Sequence, residues 1–224
     1  MNGGTLRALE VACLALLVAC TRLEAEVGSE PPVSEAGASN AAASGGANCD
    51  SAAPLELYYW NARPAATTDQ IDFLVKLENR SGAAVPLATL SVRYYFTDEI
   101  VAPATLEVYY GDTCCSNKIL FKDEALTSVQ AVSASPRADS YFEIGFDPSL
   151  GALAAGDSVQ VELGYHDAAF DSVSTQSNDY SFVATAVGTQ ADWDACPGPA
   201  CLPTFTNCRL SAYREGTLVW GMPP

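Results

Sequence analysis

The chain has 224 residues, 49% of them hydrophobic, and carries 27 acidic against 11 basic side chains for a formal net charge of −16. That balance argues against nucleic acid, whose binding needs a basic footprint, and against anionic polysaccharides, which such a surface repels. A neutral polymer or a cation suits it better.

Residues 1–20 read as an export leader. Arg7 precedes an apolar run from Val11 to Ala19 that is too short to span a bilayer. Leu17-Val18-Ala19-Cys20 fits a lipobox, which makes Cys20 the expected lipidation site. An ordinary cleaved signal with Cys20 incidental is the alternative. Either way an exported chain is expected, secreted or at the cell surface, touching membrane only through a lipid on Cys20. Residues 21–53 are rich in Ala, Ser, Gly, Glu and Pro with no periodic apolar face, and read as a flexible tether. The folded domain is expected over 54–224.

From Leu55 short strands alternate with turn residues. Leu55–Asn61, Ile71–Asn79, Leu90–Thr97, Thr105–Tyr110 and Leu126–Ser133 qualify, as do Asp139–Phe146, Ser158–Tyr165, Asp179–Ala184 and Leu210–Trp220. All are rich in β-branched and aromatic residues, and several alternate apolar with polar. In Ile71–Asn79, for instance, Phe73, Val75 and Leu77 share one face. Arg214-Glu215-Gly216-Thr217 reads as the turn of a C-terminal hairpin. About nine strands and no sustained helical period predict an all-β fold: a two-sheet antiparallel sandwich of jelly-roll topology.

Of eight cysteines, Cys13 and Cys20 fall in the leader. The other six, Cys49, Cys114, Cys115, Cys196, Cys201 and Cys208, are even in number in an exported chain and predict three disulfides. The sequence leaves their pairing open. A single histidine, His166, and the lack of paired C-x-x-C knuckles argue against zinc.

No catalytic constellation is visible, and the chain is not expected to be an enzyme. G-x-S-x-G and phosphate-binding glycine loops are absent. The scattered acids will form accidental pairs in any fold. His166 reads as a surface residue or one with a purely structural role.

Thr175-Gln176-Ser177-Asn178-Asp179 crowds oxygen-bearing side chains at one point. Oxygen donors in that density suit a hard cation such as calcium, though the same residues could cap loops by local hydrogen bonds. Together with Leu55-Glu56-Leu57-Tyr58-Tyr59-Trp60-Asn61, Arg93-Tyr94-Tyr95-Phe96-Thr97, Tyr141-Phe142-Glu143 and Leu218-Val219-Trp220-Gly221, this segment resembles the family 3 carbohydrate-binding modules. These are cellulose-binding β-sandwiches of bacterial cellulases and scaffoldins.

The resemblance covers about residues 55–224 and implies a structural calcium held by Thr97, Thr175, Asn178 and Asp179. Glu99 stands where the family usually has aspartate, with Asp98 as its competitor. It also implies a shallow groove of Arg93, Tyr95, Tyr141, Glu143 and Tyr180, which would serve equally as a structural network. On the opposite face the family grips cellulose with a flat strip containing an Asp-His pair and a tryptophan. Here Asp112 is present with no histidine after it, and the tryptophan position falls on Asp171 beside Phe170. Tyr109, Tyr110, Asp112 and Phe170 are therefore the candidates for a strip in another register. The expected function is non-catalytic binding of cellulose or a related β-glucan by a monomer. The alternative is an interaction or structural sandwich that has lost the strip.

Overall fold

The computed structural model describes residues 49, 52–100, 103–113, 118–119, 125–132, 135–186 and 205–224. Among them are thirteen β-strands, three single-turn 3-10 segments and no α-helix. The first six strands are β1 (Leu55–Asn61), β2 (Ile71–Asn79), β3 (Val85–Pro86), β4 (Leu90–Phe96), β5 (Ala104–Thr113) and β6 (Lys118–Ile119). Then follow β7 (Ala125–Ala131), β8 (Ser140–Phe146), β9 (Ala152–Leu153), β10 (Ser158–Asp167), β11 (Phe205–Thr206), β12 (Ser211–Arg214) and β13 (Thr217–Gly221).

Two antiparallel sheets form the sandwich. One has six strands in the order β11-β1-β2-β10-β5-β6, and the other has five in the order β13-β12-β4-β8-β7. The short β3 and β9 pair separately. Alternation along each strand sends one set of side chains between the sheets. Leu57 and Tyr59 of β1, Phe73 and Val75 of β2, and Val161 and Leu163 of β10 meet Val92, Tyr94, Phe142 and Ile144 of the other sheet. Aromatic rings carry the centre: Phe73 stacks on Tyr94 at 4.3 Å and Phe96 on Phe142 at 4.1 Å. Each large apolar side chain buried here contributes roughly 1.5–3 kcal/mol.

The hairpin between β12 and β13 turns through Glu215 and Gly216, with φ of 50° and 76°. Positive φ at both central residues is the geometry whose twist matches a two-residue hairpin. Four strands carry no readable sequence signal. β3, β6, β9 and β11 are two residues each, too short for alternation to register.

One expected strand is absent. Asp179–Ala184 alternates as a strand should, yet turns. The Ser181 N–H donates to Tyr95 O at 3.0 Å, while the Tyr95 N–H donates to the Ser181 hydroxyl at 2.8 Å rather than to a carbonyl. A side chain occupying the ladder position stops pairing from propagating. Phe182 N then donates to Asp179 O and Ala186 N to Val183 O, bending the segment away.

A disulfide joins Cys49 to Cys208 across 159 residues of sequence, with Cα atoms 5.7 Å apart. Cys114, Cys115, Cys196 and Cys201 lie outside the described residues, as do residues 1–48 with Cys20 and most of the expected tether.

Candidate functional site

The outer face of the six-stranded sheet carries a row of aromatic side chains along β10. Glu162, Gly164 and His166 point outward there, because Val161, Leu163 and Tyr165 point into the core. On the neighbouring β5, Tyr110 pairs with Glu162 but Val108 pairs with Leu163, so Tyr109 is the extra residue of a β-bulge. The bulge re-aims its ring over Gly164. A Cβ at residue 164 would lie 2.3 Å from that ring, so only glycine leaves room for it. Gln70 Nε2 donates to the Tyr109 hydroxyl at 2.7 Å and fixes the far end. Tyr109 remains 43% exposed.

Beyond the end of β10 the chain makes a tight loop. The Asp167 carboxylate accepts from the backbone amides of Ala169, Asp171 and Ser172. The Ser172 hydroxyl first, and then these amides, hold its carboxyl well below the usual range. The loop leaves Phe170 at φ 58°, a left-handed conformation that costs a non-glycine residue about 1 kcal/mol or more. Its ring, 42% exposed, lies flat on His166 at 3.9 Å and 14°. His166 itself is buried at 6% exposure. Its Nδ1 donates to Asp167 O at 2.7 Å, and its Nε2 stands 3.7 Å from Glu107.

Polar groups flank the row. The Tyr110 hydroxyl donates to Asp112 Oδ2 at 3.1 Å. Asp72 pairs in register with Gly164, directly beside the Tyr109 ring. Burial raises Glu162 to about 7, with Asp72 adding to the effect, and raises Asp72 to about 6 against the pull of Arg63. Asp72 Oδ1, Asp112 Oδ1 and Gln160 Oε1 are buried with no hydrogen-bond partner.

A second constellation joins two loops. Glu99 accepts from Thr175 N at 2.5 Å and from Asn178 Nδ2 at 3.0 Å, while Asp179 Oδ1 accepts from Thr97 N at 2.9 Å. The amide of Thr175 is the main cause holding the Glu99 carboxyl low. Asp98 is engaged elsewhere: it accepts from Ile100 N and from the Tyr165 hydroxyl. Asp179 is raised to about 8 by burial, then by Glu99, Asp139 and Asp98, and its Oδ2 is buried without a partner. Among the described residues no three His, Cys, Asp or Glu side chains cluster as a metal site. This set instead mixes two acids with threonine and asparagine oxygens, as hard cations accept.

The outer face of the five-stranded sheet holds the expected groove residues. Arg93 is clamped between the rings of Tyr141 and Tyr213, at 4.5 and 4.2 Å, and pairs with Glu143 at 3.2 Å. Tyr95 lies beneath, 3% exposed, its hydroxyl bonded to Ser211 and Tyr213. Tyr180 sits under Arg137 at 4.6 Å. Sequence reasoning missed Tyr213 and Arg137 here.

Residues 56–221 match the family model described as "Cellulose binding domain". The chain belongs to the family 3 cellulose-binding domains. Its curated relatives include a xyloglucanase from Paenibacillus sp, 31% identical over 76% of this chain and 14% of that protein. Another is cellulosomal-scaffolding protein A from Acetivibrio thermocellus, 29% identical over 76% of this chain and 8% of that protein. The chain thus spans under a quarter of the length of these relatives. Among solved structures, the CBM3a-L domain of a Clostridium thermocellum scaffoldin superposes with a TM-score of 0.64 at 26% identity, over 79% of this chain and 95% of that domain. The family is one of non-catalytic binding modules.

In this cellulose-binding domain Tyr109, Tyr110, Asp112 and Phe170 come together on one sheet face, and Thr97, Glu99, Thr175, Asn178 and Asp179 on one pair of loops. Sequence reasoning gave His166 no part in a binding site, and it did not single out Gln70, Gly164, Asp167, Asp72 or Glu162. Alternation along β10 could have put Glu162, Gly164 and His166 on one face, and the spacing of His166 and Phe170 hinted at the stack.

Proposed function

We propose that this chain is an exported, non-catalytic module that binds a neutral β-glucan such as cellulose through the outer face of the six-stranded sheet. The observation that supports this is the row of Tyr110, Tyr109 and Phe170, positioned by a bulge, a glycine and a loop built around Asp167. Flat rings on a rigid sheet meet the apolar C–H faces of pyranose rings at little ordering cost. Asp112 and the face's other acceptors would take sugar hydroxyls. The relatives named as a xyloglucanase and a cellulosomal scaffold fit a glucan ligand and an extracellular setting. A monomer, anchored through Cys20 or freely secreted, completes the reading.

Calcium would be held by Thr97, Glu99, Thr175, Asn178 and Asp179. The unpartnered, buried Asp179 Oδ2 and the all-oxygen donor set fit it. The ion would tie the two loops together and restore the charge that burial suppresses on Asp179. The Arg93 groove supports a structural role, since its charge is already paired and stacked.

A pull-down on microcrystalline cellulose, amorphous cellulose, chitin and xylan tests the reading. Retention on cellulose is expected. Retention on none of the four would leave the interaction-domain alternative.

A further inference from the structure

His166 is the chain's only histidine, and its ring is the floor on which Phe170 lies. We infer that His166 is a positioning residue for the aromatic row: protonated, it holds Phe170 in the binding geometry, so the face grips glucan more tightly in mildly acidic than in mildly alkaline surroundings. The inference rests on reading this face as a glycan platform and adds how that platform is regulated.

The surroundings of the ring assign its protons. Nδ1 lies 2.7 Å from the carbonyl oxygen of Asp167, which can only accept, so Nδ1 carries a hydrogen. In the neutral imidazole Nε2 is then bare. That atom is buried with no hydrogen-bond partner and stands 3.7 Å from a Glu107 carboxylate oxygen. Two acceptors thus face each other. A proton on Nε2 converts their repulsion into an ion pair. It also puts a cation directly beneath Phe170, with centroids 3.9 Å apart and planes within 14°. The face of an aromatic ring attracts a cation placed there.

Phe170 has use for that attraction. Its backbone is left-handed and its ring is 42% exposed, so burial gives the ring little hold and the stack on His166 matters more. A ring already in place spares the ligand the cost of ordering it. With a neutral imidazole the stack is weaker, and more of that cost falls on binding.

The surrounding charges decide whether the proton is taken up. Burial of His166 opposes it. Carboxylates favour it: Glu107 from β5, Asp167 next in the chain, Asp171 in the loop, and Asp72 of β2 at the level of Gly164. Glu162 stands further along β10. Arg63 is turned to Asp69 at 2.8 Å and reaches Asp72 only at 3.9 Å. The field at the ring is therefore negative. Asp72 and Glu162, raised to about 6 and about 7, change charge over the same interval as an imidazole, so a histidine variant must carry the test.

The experiment is a pair of depletion isotherms on microcrystalline cellulose with the full-length chain, at about pH 5 and about pH 8 in equal salt, which bracket the charge change of an imidazole. The native chain is expected to bind about two- to fivefold more tightly at the lower pH, the worth of a cation–π contact at a part-exposed site. His166→Phe keeps a ring under Phe170 without the charge and should lose that step. Glu107→Gln removes the carboxylate facing Nε2 and should shrink it. Proton NMR of the native chain gives a second readout that does not depend on how the variants fold. The Phe170 ring resonances should move together with those of the single imidazole as pH falls. A native isotherm indifferent to pH, or a step that survives in His166→Phe, overturns the inference and leaves the glucan reading intact. Phe170 resonances that ignore the imidazole's titration overturn it too. Retention at neither pH removes the platform, and this inference with it.

Discussion

Phe170 lies flat on His166, ring centroids 3.9 Å apart, and is held there by a loop whose three amides converge on the Asp167 carboxylate. The ring is thus placed before any ligand arrives, at the cost of a left-handed backbone. Truncating a stacked ring loses on the order of 1–3 kcal/mol, by analogy with base stacking. Phe170→Ala should therefore weaken retention on cellulose roughly tenfold or more. Asp167→Ala should weaken it as well, by releasing the loop. Wild-type retention in both variants would remove Phe170 from the site.

Gly164→Ala tests the other ring. The new methyl would meet the Tyr109 ring, whose movable side chain can swing aside where backbone could not. Binding is expected to fall much more than stability. Depletion assays on cellulose and a melting curve on the same sample separate the two. A large loss of melting temperature with unchanged binding would contradict the placement of Tyr109 as a contact.

Calcium should raise the melting temperature, because a ligand that binds only the folded state stabilises it by mass action. Chelator should lower it, and Asp179→Ala should abolish the response. Glu99→Ala should do the same, and Asp98→Ala should not, because Asp98 is bonded to Tyr165 and Ile100. A melting curve indifferent to chelator would count against the ion.

The Asp72 and Glu162 pair gives stability a pH dependence with a definite sign. Glu162 is raised from 4.5 to about 7 and Asp72 from 3.8 to about 6. The folded state therefore binds more protons than the unfolded state between about pH 4 and 7, and stability falls as pH rises through that window. Melting temperature measured without ligand should be lower at about pH 8 than at about pH 5 from this contribution. Glu162→Gln should flatten the slope and raise the value at the higher pH by a few degrees, about 2–4 °C per kcal/mol for a domain of this size. A native-like slope in that variant would refute the assignment.

The Cys49–Cys208 bond closes most of the domain into one loop. Loop entropy makes it worth about 2–5 kcal/mol. Cys49→Ser should lower the denaturation midpoint accordingly while leaving retention on cellulose unchanged. Equal midpoints for both proteins would show that the bond does not constrain the unfolded chain.

The sequence by itself determined what depends on neighbours along the chain. Period-two alternation located β1, β2, β4, β8 and β10 to within two residues, Glu215-Gly216 announced its own turn, and Arg93 and Tyr95 separated cleanly from Tyr94 and Phe96. What it left open depends on register between strands, which no local pattern encodes. The ring of the skipped residue Tyr109 lies over a glycine more than fifty positions away. Asp72 meets Glu162 only because β2 pairs with β10. The alternating run at Asp179–Ala184 failed as a strand because the Ser181 hydroxyl took the place of a ladder carbonyl. Glu99, not Asp98, faces Thr175 because Tyr165, from the other sheet, engages Asp98. Contacts between strands distant in sequence are resolved by packing the two sheets together, and only the tertiary structure carries that information.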